Sequence, residues 1–399
     1  MISLGGWLIK LSNLYLMKKV KLKYFFKDLF RQRGEKRADK QLIILISFLT
    51  VFGLLMIFSA GVSLGWQKFG DSYWFVKHQI LFGLLPGLVF FMIFSKIDYF
   101  KLKSLAGPML LFSIVLLVLV YVPGIGSDFG TSRSWINFFG FSIQPSEIVK
   151  LTFLIYLVAW LSEKGEKQLK DLHQGFLPFI IVLLVIMFLI GFQPDTGSMS
   201  IIVLTSLVVF FVAGGSLIHL SWLSTLGVIG LSLVIRFSSY RAVRLTTFLH
   251  PELDPQGVGY HINQALLAVG SGGLFGRGFG HSRQKFAYLP ESAGDSIFAV
   301  MAEELGFIVA VALVAVFVIL MLRVFKIAQR CNEPFGRLLA IGIVSWFVVQ
   351  AFINIGAIIG VLPLTGVPLP FISYGGTALM ICLAAAGILV NISRQVDLD

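Results

Sequence analysis

The sequence predicts an all-α fold, a polytopic integral membrane protein built as a ten-helix transmembrane bundle. Three observations predict it. The 399 residues are 57% hydrophobic and 13% charged, about half the charged share of a soluble domain. A water-soluble globule of this size would lack the polar residues to cover its surface. Apolar runs recur that are long enough to cross a hydrocarbon core of about 30 Å. Short loops between them alternate in Lys and Arg content, the pattern that sets membrane orientation. No strand-like alternation in segments of about ten residues, the mark of an outer-membrane barrel, is present.

The predicted spans are 41–62, 73–95, 105–122, 146–162, 174–192, 197–215, 218–236, 297–322, 338–361 and 373–392. A helix satisfies its own backbone, so a bundle is the natural way to place these runs in lipid. With no inserted soluble region and no internal repeat, 41–399 reads as one domain behind a basic tail, 1–40. That tail holds eleven Lys and Arg residues against three acids, which places the amino terminus in the cytoplasm. Lys96, Lys101 and Lys103, then Lys164, Lys167 and Lys170, then Arg323, Lys326, Arg330 and Arg337 mark the later inward loops, and Arg394 follows the last helix. Ten spans bring both termini inside; only the short 216–217 connection lacks the basic signature. The net charge of +12 is then topogenic charge against anionic lipid, and nucleic-acid binding needs no consideration. Residues 1–30 read either as a basic amphipathic surface helix around Trp7, Leu8, Leu11, Tyr15, Phe25 and Phe26, or as a tail, or as a segment preceding a start at Met17. The stretch is too broken for a signal peptide. Cys331 and Cys382 fall in or beside apolar runs and imply neither a disulfide framework nor a metal knuckle.

The large extracytoplasmic loop between helices seven and eight, about 237–296, breaks the charge rule with Arg241, Arg244, Arg277, Arg283 and Lys285. Its stretch GSGGLFGRGFG, 270–280, packs six glycines into eleven positions, which lets backbone approach a ligand or another helix. Outward cations beside a Gly-rich turn suit a phosphate-bearing ligand; packing of the loop itself is the alternative. The apolar segment 261–270 indicates partial burial, and a structureless loop of this length is uncommon.

Several polar residues stand out. Glu147 and Lys150 are three apart at the start of the fourth helix and share a face. Ionisable groups in membrane helices are functional candidates, although Glu147 also suits the positive end of its helix. Arg133 and Trp135 precede them, either covering a cavity or, for Trp135, anchoring the interface. Asp195 in QPDTGS either orients the cavity or caps the sixth helix, the cap being favoured. Glu303 and Glu304 lie about two turns into the eighth helix and call for Arg or Lys partners. Pro363, Pro368 and Pro370 with Gly375 and Gly376 read as a rigid re-entrant segment lining a cavity. Asp295, before SIFAVMAEEL, reads by itself as a helix N-cap.

These residues belong to motifs that resemble the SEDS family (shape, elongation, division and sporulation), which includes FtsW and RodA. The string YLPESAGDSIFAVMAEELGF at 288–307 is similar to that family's signature. In the family's order stand RSWINFFGFSIQPSEIVKL at 133–151, QPDTGS at 193–198, YRAVRLTTFLHP at 240–251, GYHINQALLAVGSGGLFGRGFGHSRQKF at 259–286 and NIGAIIGVLPLTGVPLPFISYGG at 354–376. The helical frame extends the match from about residue 41 to the carboxyl terminus. HSRQKFAYLPE at 281–291 and the basic tail look more like FtsW than RodA. The sequence departs from many relatives at Gly294, where they carry a bulkier residue, and at Ser296, where they carry Phe.

The resemblance implies a peptidoglycan glycosyltransferase that polymerises lipid II, the undecaprenyl pyrophosphate-linked disaccharide-pentapeptide. The work is placed at the outer face of the bacterial cytoplasmic membrane, in septal wall synthesis. It implies a class B penicillin-binding protein, a transpeptidase, and other division-complex membrane proteins as partners. An α-linked donor and a β-linked polymer require one inverting step, with a base for the acceptor hydroxyl and cations for the leaving pyrophosphate. Asp295 aligns with the family's essential aspartate and is the implied base, a role compatible with capping. Arg133, Trp135, Glu147, Lys150, Asp195, Arg241, Arg244, Arg283, Lys285 and Glu291 are the candidate substrate-binding residues, with Arg241, Arg244, Arg283 and Lys285 as pyrophosphate contacts. No cofactor is identifiable. His219, His250, His261 and His281 lack ligand spacing, and a divalent cation at the pyrophosphate is chemically reasonable without being demanded. The alternatives are a flippase for the lipid-linked precursor, a RodA-like elongation polymerase, and a noncatalytic scaffold.

Overall fold

The computed structural model describes residues 37–397 apart from 124–125, 130–131, 139–140, 194, 224, 226, 228–229, 231–245 and 251–256. The chain is mostly helical. Its principal helices are α1 (Lys40–Phe69), α2 (Trp74–Lys96), α3 (Ala106–Leu119), α4 (Pro145–Ser162), α5 (Leu172–Gly191), α6 (Thr196–Val212), α7 (Val258–Ser271), α8 (Ile297–Gln329), α9 (Pro334–Ile358) and α10 (Gly376–Ser393). Among the described residues, seven helices are long and apolar enough to cross a membrane, and α3 and α6 are shorter apolar helices. Nine predicted spans meet a helix. The other, 218–236, lies largely outside the described residues, as do 1–36.

One expectation needs correction: the fold is not purely α. Residues 126–143, expected as a loop, form an antiparallel sheet of β1 (Gly126–Phe129), β2 (Ser132–Phe138) and β3 (Phe141–Ile143) in that order. The aromatic and β-branched residues of SRSWINFFGFSI suit a pleated, half-buried surface.

Helix ends follow local chemistry. Asp39 caps α1, accepting from the Leu42 amide at 2.7 Å, and the same carboxylate pairs with Arg323 of α8. Its own amide donates to Ser393 Oγ of α10 at 3.2 Å, so one residue ties three helices at one end of the bundle. Proline starts α4 and α9, where its missing amide costs nothing. The centre of the bundle is α4, α9 and α10, whose apolar windows are 72%, 78% and 83% buried, against 22% for α2. Close approach of α2 to α10 depends on small residues: a Cβ on Gly87 would lie 2.7 Å from Leu383, and one on Gly387 would lie 2.6 Å from the Phe91 carbonyl. Apolar lipid supplies no hydrophobic drive between helices, so such contacts carry the association.

The eighth helix is broken. Gly306 has φ 79° and ψ 179°, so the amides of Phe307 and Ile308 cannot reach the carbonyls four residues back. Those amides donate instead to Gly273 O at 2.9 Å and Leu274 O at 3.3 Å. The stranded carbonyls of Glu303 and Glu304 accept from the amides of Arg277 at 3.0 Å and Gly278 at 2.9 Å. The Gly-rich loop thus replaces, bond for bond, what the helix loses. That explains its composition: a Cβ on Gly272 would lie 2.0 Å from Ala302 O, and one on Gly276 would lie 2.1 Å from Glu304 O. The glycines admit a helix backbone. Ahead of them, α7 buries Ile262, Ala265 and Ala268, as its apolar sequence indicates.

Gly276 and Gly273 are both left-handed, at φ +78° and +55°, but a Cβ on Gly273 meets nothing within 4 Å. Alanine at either incurs backbone strain of about 1–3 kcal/mol. Gly276→Ala alone adds the collision, so its thermal midpoint in detergent falls well below that of Gly273→Ala; equal midpoints would contradict this loop-to-helix docking.

Candidate active site

The starts of α4, α6, α8 and α10 converge with the non-helical segment 359–375 at one end of the bundle. The Gln144 amide donates to Thr377 Oγ1 at 3.3 Å. Ser146 Oγ and Gln144 Nε2 donate to Asp195 Oδ2 at 2.8 and 3.3 Å. A Cβ on Gly197 would strike Val367 at 2.4 Å, and one on Gly366 would sit 3.9 Å from Asp295 Oδ2. Four helix N-termini therefore point their positive ends into one region, which favours anionic groups there.

Two amides of α9 hold this end together. Gln350 and Asn354, one turn apart, are both buried. Gln350 Nε2 donates to Pro368 O at 2.7 Å, and Asn354 Nδ2 donates to Val367 O at 2.7 Å and to Asp295 O at 2.8 Å. Gln350 Oε1 accepts from Lys150 Nζ at 2.8 Å and from the Trp346 indole at 2.7 Å. Lys150 Nζ also meets Glu147 Oε1 at 2.7 Å, with side chains 2% and 1% exposed. A continuous chain of contacts thus runs from Glu147 and Lys150 through Gln350, the 367–368 backbone and Asn354 to Asp295. The second Glu147 oxygen, Oε2, is buried without a hydrogen-bond partner among the described residues.

Asp295 is half-buried in the turn that leads into α8, with its carboxylate beside Gly366. Ser296, not Asp295, occupies the N-cap position, and its side chain makes no cap bond. Ser296 Oγ instead donates to Asp295 Oδ1 at 3.3 Å. The turn is pinned from both sides: the Tyr374 amide donates to Ala293 O at 2.8 Å, and the Gly294 amide donates to Glu291 O at 2.8 Å. Glu291 is exposed and left-handed at φ 47°; Ala287 and Phe371, at 68° and 66°, are the other non-glycine residues in that region among those described. Such strain persists where surroundings over-determine the backbone. The Tyr374 side chain is half-buried beside this turn. Its hydroxyl lies 3.0 Å from His78 Nδ1.

The other expected residues sort clearly. Asp195 caps α6, accepting from the Ser198 amide at 3.0 Å, while its second oxygen ties α6 to α4. Lys285, a candidate pyrophosphate contact, is buried, with Nζ on Glu304 Oε1 at 2.7 Å, Gly280 O at 2.7 Å and Ser59 Oγ at 3.0 Å. Those three bonds occupy all its donors. Glu303 accepts from Ser282 Oγ at 2.5 Å and from the amides of Arg283 and Gln284. The paired glutamates therefore clamp the turn that carries Arg283, whose side chain is exposed. Trp135 is half-buried on β2, opposite Ser127; Arg133 is on the same strand. Arg241 and Arg244 lie outside the described residues. Among the described residues no group of three or more His, Cys, Asp or Glu is placed to hold a metal ion.

Sequence reading missed Gln350 and Asn354. Their signal was present as two amides at i and i+4 on one face of an otherwise apolar helix.

Known proteins resemble this chain along nearly its whole length. The family model described as "Cell cycle protein", covering FtsW, RodA and SpoVE, matches residues 39–398. Stage V sporulation protein E of Bacillus subtilis is 41% identical over 356 residues, 89% of this chain and 97% of that protein. A probable peptidoglycan glycosyltransferase FtsW of Trichlorobacter lovleyi is 38% identical over 360 residues, 90% of this chain and 94% of that protein. The crystal structure of the rod shape determining protein RodA of Thermus thermophilus superposes with a TM-score of 0.67 at 26% identity, covering 91% of this chain and 98% of that one. A chain from work described as "Structural coordination of polymerization and crosslinking by a peptidoglycan synthase complex" superposes with a TM-score of 0.73 at 26% identity, covering 91% and 99%.

Removing one partner of the buried Glu147–Lys150 pair strands the other charge. Lys150→Met is expected to cost about 3–5 kcal/mol. Combining it with Glu147→Gln recovers a substantial part, read as thermal midpoints of the purified protein. A double variant no more stable than Lys150→Met would show that the charges are not coupled.

Proposed function

This chain belongs to the FtsW, RodA and SpoVE family of cell-cycle proteins, and from that premise we propose that it is a peptidoglycan glycosyltransferase polymerising lipid II. The single observation that carries the mechanism is the placement of Asp295: a half-buried carboxylate fixed by Asn354 through its backbone, at a mouth where four helix N-termini meet. Asp295 takes the proton from the acceptor sugar's 4-hydroxyl as that oxygen bonds to the donor's anomeric carbon. The bond from that carbon to the lipid pyrophosphate breaks, with inversion. Negative charge gathers on the departing pyrophosphate, where the helix N-termini and the exposed Arg283 are suited to receive it; Arg241 and Arg244 are assigned the same role. Glu147 and Lys150 act behind the surface by bracing Gln350 and the 367–368 backbone.

The mouth lies at the outer face of the cytoplasmic membrane, with both termini cytoplasmic, as the basic loops require. Septal synthesis is the assigned setting, with a class B penicillin-binding protein and division-complex proteins as partners. A flippase would need ionisable groups free to exchange partners along a path through the bundle. Glu147, Lys150, Glu304 and Lys285 are instead held by fixed, buried partners, which supports the surface enzyme.

Asp295→Asn, assayed on purified lipid II together with the partner transpeptidase, is expected to lower polymerisation by about a hundredfold or more, the range for a general base, while lipid II binding persists. Polymerisation by the variant at the wild-type rate would remove Asp295 from the chemistry.

A further inference from the structure

The structure gives the Ser296 hydroxyl two partners. His261 Nε2 of α7 lies 2.6 Å from Ser296 Oγ, and Ser296 Oγ lies 3.3 Å from Asp295 Oδ1. Ser296 is fully buried and His261 half-buried. A hydroxyl has a single proton to donate and two lone pairs with which to accept. The row His261–Ser296–Asp295 therefore has two proton arrangements. In one, His261 Nε2–H donates to Ser296, which donates to the Asp295 carboxylate. In the other, protonated Asp295 donates to Ser296, which donates to a bare His261 Nε2. A phenylalanine at 296 would leave no such bridge.

We infer that His261, acting through Ser296, draws the proton off Asp295 after each transfer and is a positioning and proton-relay residue for the reaction. The inference rests on Asp295 being the general base. The step balances without a further reactant. The Asp295 O–H bond breaks as its proton joins Ser296 Oγ. The Ser296 O–H bond breaks as its own proton joins His261 Nε2. Asp295 returns to the carboxylate, and the resulting imidazolium later releases a proton to water. Imidazole suits the task because its ordinary titration lies near neutrality.

Among the described residues, α8 and α9 pack on α7, and Gly360 of the 359–375 segment lies beside Leu266. Around α8, Asp295 is the titratable group in this row. Glu303 and Glu304 are committed to Ser282, Lys285 and the 282–284 amides. On α9 the charged side chain is Arg337, in its first turn, whereas Asn354, near its other end, reaches Asp295.

The test is lipid II polymerisation by the full chain with its partner transpeptidase, as a kcat–pH profile for wild type, His261→Gln, Ser296→Ala and Asp295→Asn. Glutamine can keep a hydrogen bond to Ser296 but cannot take up a proton. His261→Gln and Ser296→Ala are each expected to lower kcat roughly tenfold above neutral pH with KM unchanged, less than the base itself contributes. A protonated imidazole has no lone pair left to receive the relayed proton, so wild type should lose rate along an acid limb that His261→Gln lacks. Ser296→Ala, a small buried change, covers the case in which His261→Gln fails to fold. Wild-type kcat in both variants, or a His261→Gln profile that keeps the limb, would overturn the relay. An active Asp295→Asn would overturn the base assignment instead, so the two failures are distinct.

Discussion

The interruption of α8 at Gly306 is the constraint on which the rest of the structure depends. A helix broken within a membrane bundle must find partners for the backbone groups it strands, because no water is there to take them. Two amides and two carbonyls are released at Gly306, and the 273–278 loop supplies two carbonyls and two amides in return. That exchange needs backbone to lie against backbone, which dictates glycine at 272 and 276. It also ends the short helix 297–305 with two glutamates whose side chains must be neutralised. They draw in Lys285, Ser59 and the amides of 282–284. The position of Arg283, and of the turn that leads on to Asp295, is a consequence.

A second non-helical segment, 359–375, solves the same problem differently. Its carbonyls at Val367 and Pro368 are taken by Asn354 and Gln350, and its last amides go to Ala293 O and Gln79 Oε1. Side-chain amides do here what a loop backbone does at Gly306. The outcome is a rigid floor that reaches both the Glu147–Lys150 pair and Asp295. The pair itself is held by one salt bridge and Gln350, and burial makes it expensive to disrupt without making it a large source of net stability. Its value is geometric: it fixes where Gln350 points.

Chemistry at the mouth follows from these supports. Asp295 is not committed to capping its helix, since Ser296 stands at that position and bonds sideways to His261. Asp195 is a cap, and its second oxygen joins α6 to α4. Two aspartates at two helix starts thus have different duties, decided by one residue of offset from the cap. The convergence of helix N-termini adds positive potential without spending cations on it, which leaves the basic side chains of the loop to divide between structure, as Lys285 does, and exposure, as Arg283 does.

Composition, apolar run length and the placement of basic loops determined the membrane class and nearly all the helix positions by themselves, because a bilayer imposes length and polarity on each segment separately. The motifs determined the family and drew attention to Asp295. What the sequence could not reveal was how distant groups meet. Lys285 looked like a ligand contact because its neighbours in the chain are outward cations, while its partners come from two other elements, Glu304 from α8 and Ser59 from the distant α1. The glycines were legible as a place of close approach, but whether a ligand or a helix approached was not. Gln350 and Asn354 were visible only as two polar residues on one helix face. The sheet at 126–143 was hidden because pairing of short strands depends on tertiary surroundings more than on propensity. Sequence determines which segments can enter the membrane, since that is settled residue by residue. Tertiary structure decides which buried polar groups satisfy one another, since every such bond needs two partners and the chain order names only one.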